Sequence, residues 1–183
     1  MEQDDKLTVK KISKLQCIVR YGVAVIASVL LIFVCIVVYN FYSLTPTRLF
    51  NEKYEAYNVT PPKDTMETSI RKAYREKQYT DVINLNANSV LSIKDVFLTG
   101  MAFLETNDLS RAISSYQVVL AAVKNDPALK DVAEYYLALA YLKNNDYDQS
   151  IELMNAIHDN SAHRYTKKFS RKYIDRVKRL KWR

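Results

Sequence analysis

One uninterrupted apolar run, GVAVIASVLLIFVCIVVY from Gly22 to Tyr39, carries no charge, amide or proline. Asn40, Phe41 and Tyr42 extend it to 21 residues, and at about 1.5 Å per residue that length crosses the roughly 30 Å hydrocarbon core of a bilayer. Beyond it the pattern changes. Residues 43–64 hold three of the four prolines and predict an extended stalk, with a short helical piece around Arg48–Tyr57. Pro61-Pro62 forbids helix continuation and marks the expected start of a folded domain. From Thr65 onward apolar positions recur with helical spacing and without two-residue alternation. This predicts helices over 65–77, 79–90, 93–106, 109–124, 127–144, 147–158 and 162–181, broken at Thr106-Asn107-Asp108, Asn125-Asp126-Pro127 and Asn144-Asn145-Asp146. In the last of these, Tyr165, Phe169, Tyr173, Val177 and Leu180 fall on one face.

The flanks of the apolar run predict its orientation. Lys6, Lys10, Lys11, Lys14 and Arg20 precede it, whereas residues 43–60 carry only Arg48 and Lys53. An excess of Lys and Arg on a short flank keeps that flank cytoplasmic. Residues 1–21 therefore read as a cytoplasmic basic tail, 22–42 as a transmembrane helix, and the remainder as extracytoplasmic, periplasmic in a Gram-negative cell. Tyr21, Tyr39, Phe41 and Tyr42 are placed like interfacial anchors. A cleaved leader would have a shorter apolar core and a small-x-small site, and YNFYSLTPTRLF offers none. Cys17 and Cys35 are 18 positions apart on one helix and cannot pair within a chain.

The helices repeat in pairs. VFLTGMAFLETNDLSRAISSYQVVL and EYYLALAYLKNNDYDQSIELMNAI align without gaps at an offset of 38, matching Gly100 with Ala138, Phe103 with Tyr141, Asp108 with Asp146, Ala112 with Ser150 and Tyr116 with Met154. Gly100-x-x-Phe103 and Ala112-x-x-x-Tyr116 resemble the signature of the tetratricopeptide repeat, in which small residues let paired helices approach closely. SIRKAYREKQYTDVINL is a poorer third unit that shares the Tyr79 turn but has Val82 and Asn86 at the later positions. The expected fold is all-α: a single N-terminal transmembrane helix, then a tetratricopeptide-like solenoid of about three helix pairs over 65–183, closed by a basic capping helix over 162–183. In layout the chain is similar to small anchored tetratricopeptide proteins of the Gram-negative envelope, including those of the Bacteroidetes type and those that assist the secretion translocon.

Little in the chain suggests catalysis. With Gly22 and Gly100 as its only glycines it has no phosphate-cradling loop, and His158 and His163 stand without cysteines or an H-E-x-x-H pattern. No cofactor, metal or catalytic residue is expected. Two surfaces remain. The resemblance implies a concave groove lined by Phe97, Met101, Leu104 and Glu105 in the middle unit and Tyr135, Leu139, Leu142 and Lys143 in the last, with Glu67, Arg71, Tyr74 and Arg75 from the weak first unit. Such a groove would take a peptide of a partner, or be filled by the chain's own Leu49, Phe50, Tyr54 and Tyr57. The second surface is basic. The net charge of +7 arises from residues 163–183, where ten Lys/Arg face a single acid, Asp175, together with the basic N-terminus, while residues 43–162 are net acidic. Lys167, Lys168, Arg171, Lys172, Arg176, Lys178 and Arg179 form its centre, an expected contact for anionic lipid or an acidic protein. Nucleic acid is not an expected partner, because the predicted topology places the domain outside the cytoplasm. The function expected is a non-catalytic, membrane-anchored adaptor of the cell envelope. The alternatives are an anti-sigma-like regulator acting through the cytoplasmic tail and an ancillary chaperone of the secretion translocon.

Overall fold

A computed structural model describes residues 21–23, 25–39, 41–60, 67–86 and 92–182. The basic tail, Arg20 and Cys17 included, and Pro61-Pro62 lie outside the described residues. Among the described residues every regular element is a helix, as the apolar spacing predicts. The chain divides into two compact units that meet between Leu44 and Thr45.

The first unit holds α1, Tyr21–Tyr39, a helix of 19 residues that is long and apolar enough to cross a membrane, properties it shares with signal sequences. The second unit holds α2 (Pro46–Lys53), α3 (Ser69–Arg75), α4 (Tyr79–Asn86), α5 (Ile93–Glu105), α6 (Leu109–Ala122), α7 (Pro127–Lys143), α8 (Tyr147–Asp159) and α9 (Arg171–Lys181). Local chemistry sets their starts. Thr45, Thr68, Asp108, Asp126 and Ser170 each accept a backbone N–H at the first turn, and Ser92 with Asp95 completes a reciprocal capping box. Pro46 and Pro127 occupy the opening positions of their helices, where the missing N–H costs nothing.

α3/α4, α5/α6 and α7/α8 pair as hairpins, and each hairpin stacks on the next. Their turns are copies of one another. Lys77, Asn107 and Asn145 adopt left-handed φ values of 60°, 64° and 67°. The following N–H groups of Gln78, Asp108 and Asp146 reach back to the carbonyls of Ala73, Phe103 and Tyr141 at 2.9, 2.8 and 2.9 Å. This is the Schellman closure, which satisfies carbonyls that the end of a helix otherwise leaves unpaired. The first pair, weak in side-chain pattern, thus has the same backbone turn as the other two. Lys stands where they carry Asn, which tolerates the left-handed region better.

Inside the hairpins the small residues sit where the helices touch. Ala112, Ala138 and Ser150 are fully buried, and the Ser150 hydroxyl donates to the Ala138 carbonyl at 2.9 Å. Phe103 is buried, while its counterpart Tyr141 is half-exposed and its hydroxyl accepts from Gln117 at 2.9 Å. A Cβ on Gly100 would lie 2.9 Å from Cε1 of Tyr116, which has no exposed surface on which to retreat.

Two expectations are corrected. Residues 43–64 are not simply a stalk: α2 begins at Pro46, Leu49 and Phe50 are buried, and the folded unit starts at Thr45. Nor does the last helix begin at 162. Residues 161–169 form a chain of turns, and the helix starts only after Ser170. Thr166 donates to the His158 carbonyl at 3.0 Å, and the N–H groups of His163, Thr166 and Lys168 bond three residues back, so local bonds close turns there instead of propagating a helix.

Gly100→Leu places its side chain against the fixed Tyr116 ring. It is expected to lower unfolding stability by about 1–3 kcal/mol, overpacking outweighing the better helix propensity. Thermal melting of the variant checks this; an unchanged midpoint would show that close approach at this position is not the constraint.

Candidate functional site

α3, α5 and α7, the first helices of the three hairpins, adjoin one another on one side of the stack. The groove residues expected from the sequence lie here, yet they are interior. Phe97, Met101, Leu104, Tyr135, Leu139 and Leu142 are all at most 1% exposed, and only Glu105 and Lys143 are half-buried. The cover is the chain's own segment 45–60, with α2 lying across α7 and α9.

Polar contacts hold this strap at both ends of its aromatic side chains. The hydroxyl of Tyr135 donates to the Lys53 carbonyl, that of Tyr136 to the Glu55 carbonyl at 2.7 Å, and that of Tyr173 to the Leu49 carbonyl at 2.7 Å. Tyr54 donates to Glu105, and Lys143 places its Nζ 4.7 Å over the Phe50 ring. Tyr57 packs edge-on against Phe97 with centroids 5.0 Å apart. Burial pushes the phenols of Tyr54, Tyr135, Tyr136 and Tyr173 well up from their ordinary value, with Glu105 adding to the shift at Tyr54. Burial also lowers the Lys143 ammonium, which Glu105 partly offsets. The sequence made the strap's apolar residues visible. It did not reveal that tyrosine hydroxyls of α7 and α9 would satisfy the strap's carbonyls.

What stays open is a cavity of about 500 Å³ beside residues 55–60. Tyr57, Phe97, Leu129, Val132 and Tyr136 contribute its apolar and aromatic wall, and Arg71, Lys94 and Arg164 its cationic groups. Among the first-unit residues, Arg71 lines this cavity, Tyr74 is buried, and Glu67 pairs with Arg75 at 2.9 Å. That pairing holds the Glu67 carboxyl below the usual carboxylate range.

The basic surface is smaller than composition suggests, because acids from other segments meet it. Lys168 pairs with Glu55 at 2.5 Å, Arg171 with Asp159 at 2.5 Å, Arg176 with Glu52 at 2.6 Å, Lys178 with Asp175 at 3.1 Å and Lys181 with Asp148 at 2.5 Å. Lys167, Lys172 and Arg179 form no ion pair among the described residues. Lys167 and Lys168 lie on the turns before α9, not on the helix.

His163 is buried between the turns and α7, its Nε2 3.2 Å from Glu134 and 3.6 Å from Asp131. Its Nδ1 accepts the Tyr165 N–H at 3.0 Å. Nε2 itself has no hydrogen-bond partner among the described residues, its approach to the two carboxylates lacking hydrogen-bond geometry. Possible ligand atoms of Asp131, Glu134 and His163 lie within 4.8 Å of one another. Asp131 accepts the Arg164 N–H at 2.8 Å, fastening the turn segment to α7.

The sequence matches the Tetratricopeptide repeat-like domain family over residues 18–169, and the chain belongs to that family. Repeat domains of this class are typically interaction modules without catalysis. No curated protein and no solved structure matches the chain.

Raised phenol pKa values make a pH prediction. Below pH about 10 the tyrosines are neutral folded or unfolded, so their burial contributes in full; above it the unfolded chain ionises first and stability falls with rising pH. Tyrosinate absorbance from Tyr54, Tyr135, Tyr136 and Tyr173 should appear only together with loss of helical circular dichroism. Early titration of all tyrosines in a folded protein would contradict the buried arrangement.

Proposed function

We propose that the protein is a single-pass, membrane-anchored scaffold of the cell envelope that docks a segment of a partner protein, without catalysis of its own. In this reading α1 spans the inner membrane, the basic flank stays in the cytoplasm and the helical unit lies in the periplasm. The family match begins at residue 18 and so takes in α1 together with the repeats, which favours a retained anchor over a leader that is cut away. The Lys/Arg asymmetry across α1 supports the orientation. A fusion of alkaline phosphatase after residue 183 should therefore be active, and a reporter signal confined to the cytoplasm would reverse the topology.

The observation that carries the docking role is the cavity of about 500 Å³ beside the strap, within the size range of binding sites and walled by aromatic side chains, by Arg71, Lys94 and Arg164, and by the carboxylates of Glu55 and Asp126. The self-filled part of the groove is unsuited to a partner, because Leu49 and Phe50 would have to leave it, at about 1.5–3 kcal/mol each. A photo-crosslinking side chain in place of Leu129, at the cavity, should capture a partner in intact membranes, whereas one in place of exposed Val118 on α6 should not. Capture from Val118 alone would move the docking face. Capture only from residues 1–20 would favour the anti-sigma-like regulator, and recovery of translocon subunits would specify the ancillary-chaperone role.

A further inference from the structure

The folded unit buries almost all of its large apolar side chains. Past Leu44, those left exposed among the described residues are Val118 and Trp182, and Trp182 is 84% exposed. It is also the only tryptophan in the chain, and it directly follows α9. α9 turns Tyr173, Ile174, Val177 and Leu180 inward. Lys172, Asp175, Arg179 and Trp182 consequently share an outward stripe at spacings of three and four residues. Asp175 on that stripe is engaged by Lys178 at 3.1 Å. Elsewhere on and before α9, Arg171, Arg176, Lys181 and Lys168 are met by acids, but Lys172 and Arg179 are not. The fold thus pairs four of the six cations of α9 and leaves Lys172 and Arg179 in line with an unburied indole.

We propose that this stripe of α9, Lys172, Arg179 and Trp182, rests on the surface of an anionic bilayer. The charges match phosphate-bearing headgroups, and the indole has an apolar body with one N–H donor, the combination that settles between headgroups and acyl chains. Two cations and one ring bind a free vesicle weakly. This folded unit, however, is covalently tied to a bilayer on the anchor reading above, so the contact forms at high effective concentration. The inference rests on that reading and adds a second, headgroup-dependent attachment to it.

The single tryptophan makes the test direct. Full-length protein is placed in nanodiscs of phosphatidylcholine alone or of phosphatidylcholine with phosphatidylglycerol, and Trp182 emission is recorded. In the anionic discs the emission shifts to shorter wavelength, lipids brominated on their acyl chains quench it, and aqueous iodide quenches it less. In phosphatidylcholine, at high salt, or in the Lys172→Gln/Arg179→Gln double variant, most of that shift is lost while helical circular dichroism is kept. Emission equally solvent-exposed in both lipids overturns the proposal, as does a shift that needs an added protein partner instead of anionic lipid. Co-purification with the discs reports the anchor separately: protein that never enters them defeats both readings, whereas protein that enters with Trp182 unmoved defeats this one alone.

Discussion

The seat of Leu49 and Phe50 against the stacked helices decides what kind of object this protein is. Three helical hairpins alone would present a curved apolar face to water, with Phe97, Tyr135 and Leu139 among its residues. The segment that follows α1 closes over that face. Burial of the two side chains supplies about 1.5–3 kcal/mol each, and the hydroxyls of Tyr135, Tyr136 and Tyr173 satisfy strap carbonyls that the non-polar interior would otherwise strand. Neither contribution works without the other, because a buried unpaired carbonyl costs as much as a buried apolar side chain returns. The groove of the repeat family thereby becomes core over α5 and α7. The surface left for partners is the cavity at the strap's far end, beside residues 55–60.

Electrostatics follow the same geometry. Ten Lys/Arg against one acid in residues 163–183 would repel one another, and the fold answers by setting Glu52, Glu55, Asp148 and Asp159 opposite Arg176, Lys168, Lys181 and Arg171. Two of those acids belong to the strap and its continuation, so the segment that fills the groove also neutralises part of the last helix. Exposed pairs of this kind add little stability individually. Their larger effect is subtraction: they pair four of the six cations of α9 once Lys178 with Asp175 is included, and leave Lys172 and Arg179 on it.

The turn segment 161–169 shows how one buried polar side chain can organise a stretch without regular structure. Asp131 of α7 accepts the Arg164 N–H, buried His163 accepts the Tyr165 N–H within the segment, and its backbone groups close on one another. Read for periodicity alone, the same residues look like the start of a helix, since Tyr165 and Phe169 stand four apart in step with Tyr173. Both are drawn toward the interior, Tyr165 stacking on Tyr135 at 4.3 Å and Phe169 fully buried, without any helix to carry them. Burial sets the spacing of apolar residues, and a sequence of turns can meet it as well as a helix can.

The sequence by itself determined the all-helical class, the apolar α1, the hairpin pairs and the close approach at Gly100, because each is written in spacing and side-chain size over a few dozen residues. It also contained the repeated Asn turns, though not the finding that Lys77 would make the same turn. Tertiary structure alone decided that the expected stalk is a groove-filling strap, that the last helix begins at Arg171, and which cations of the basic region are paired. These outcomes join residues up to 124 positions apart, such as Tyr173 with Leu49 and Arg176 with Glu52. Contacts of that range depend on where folded elements meet in space, and no local period or composition encodes them.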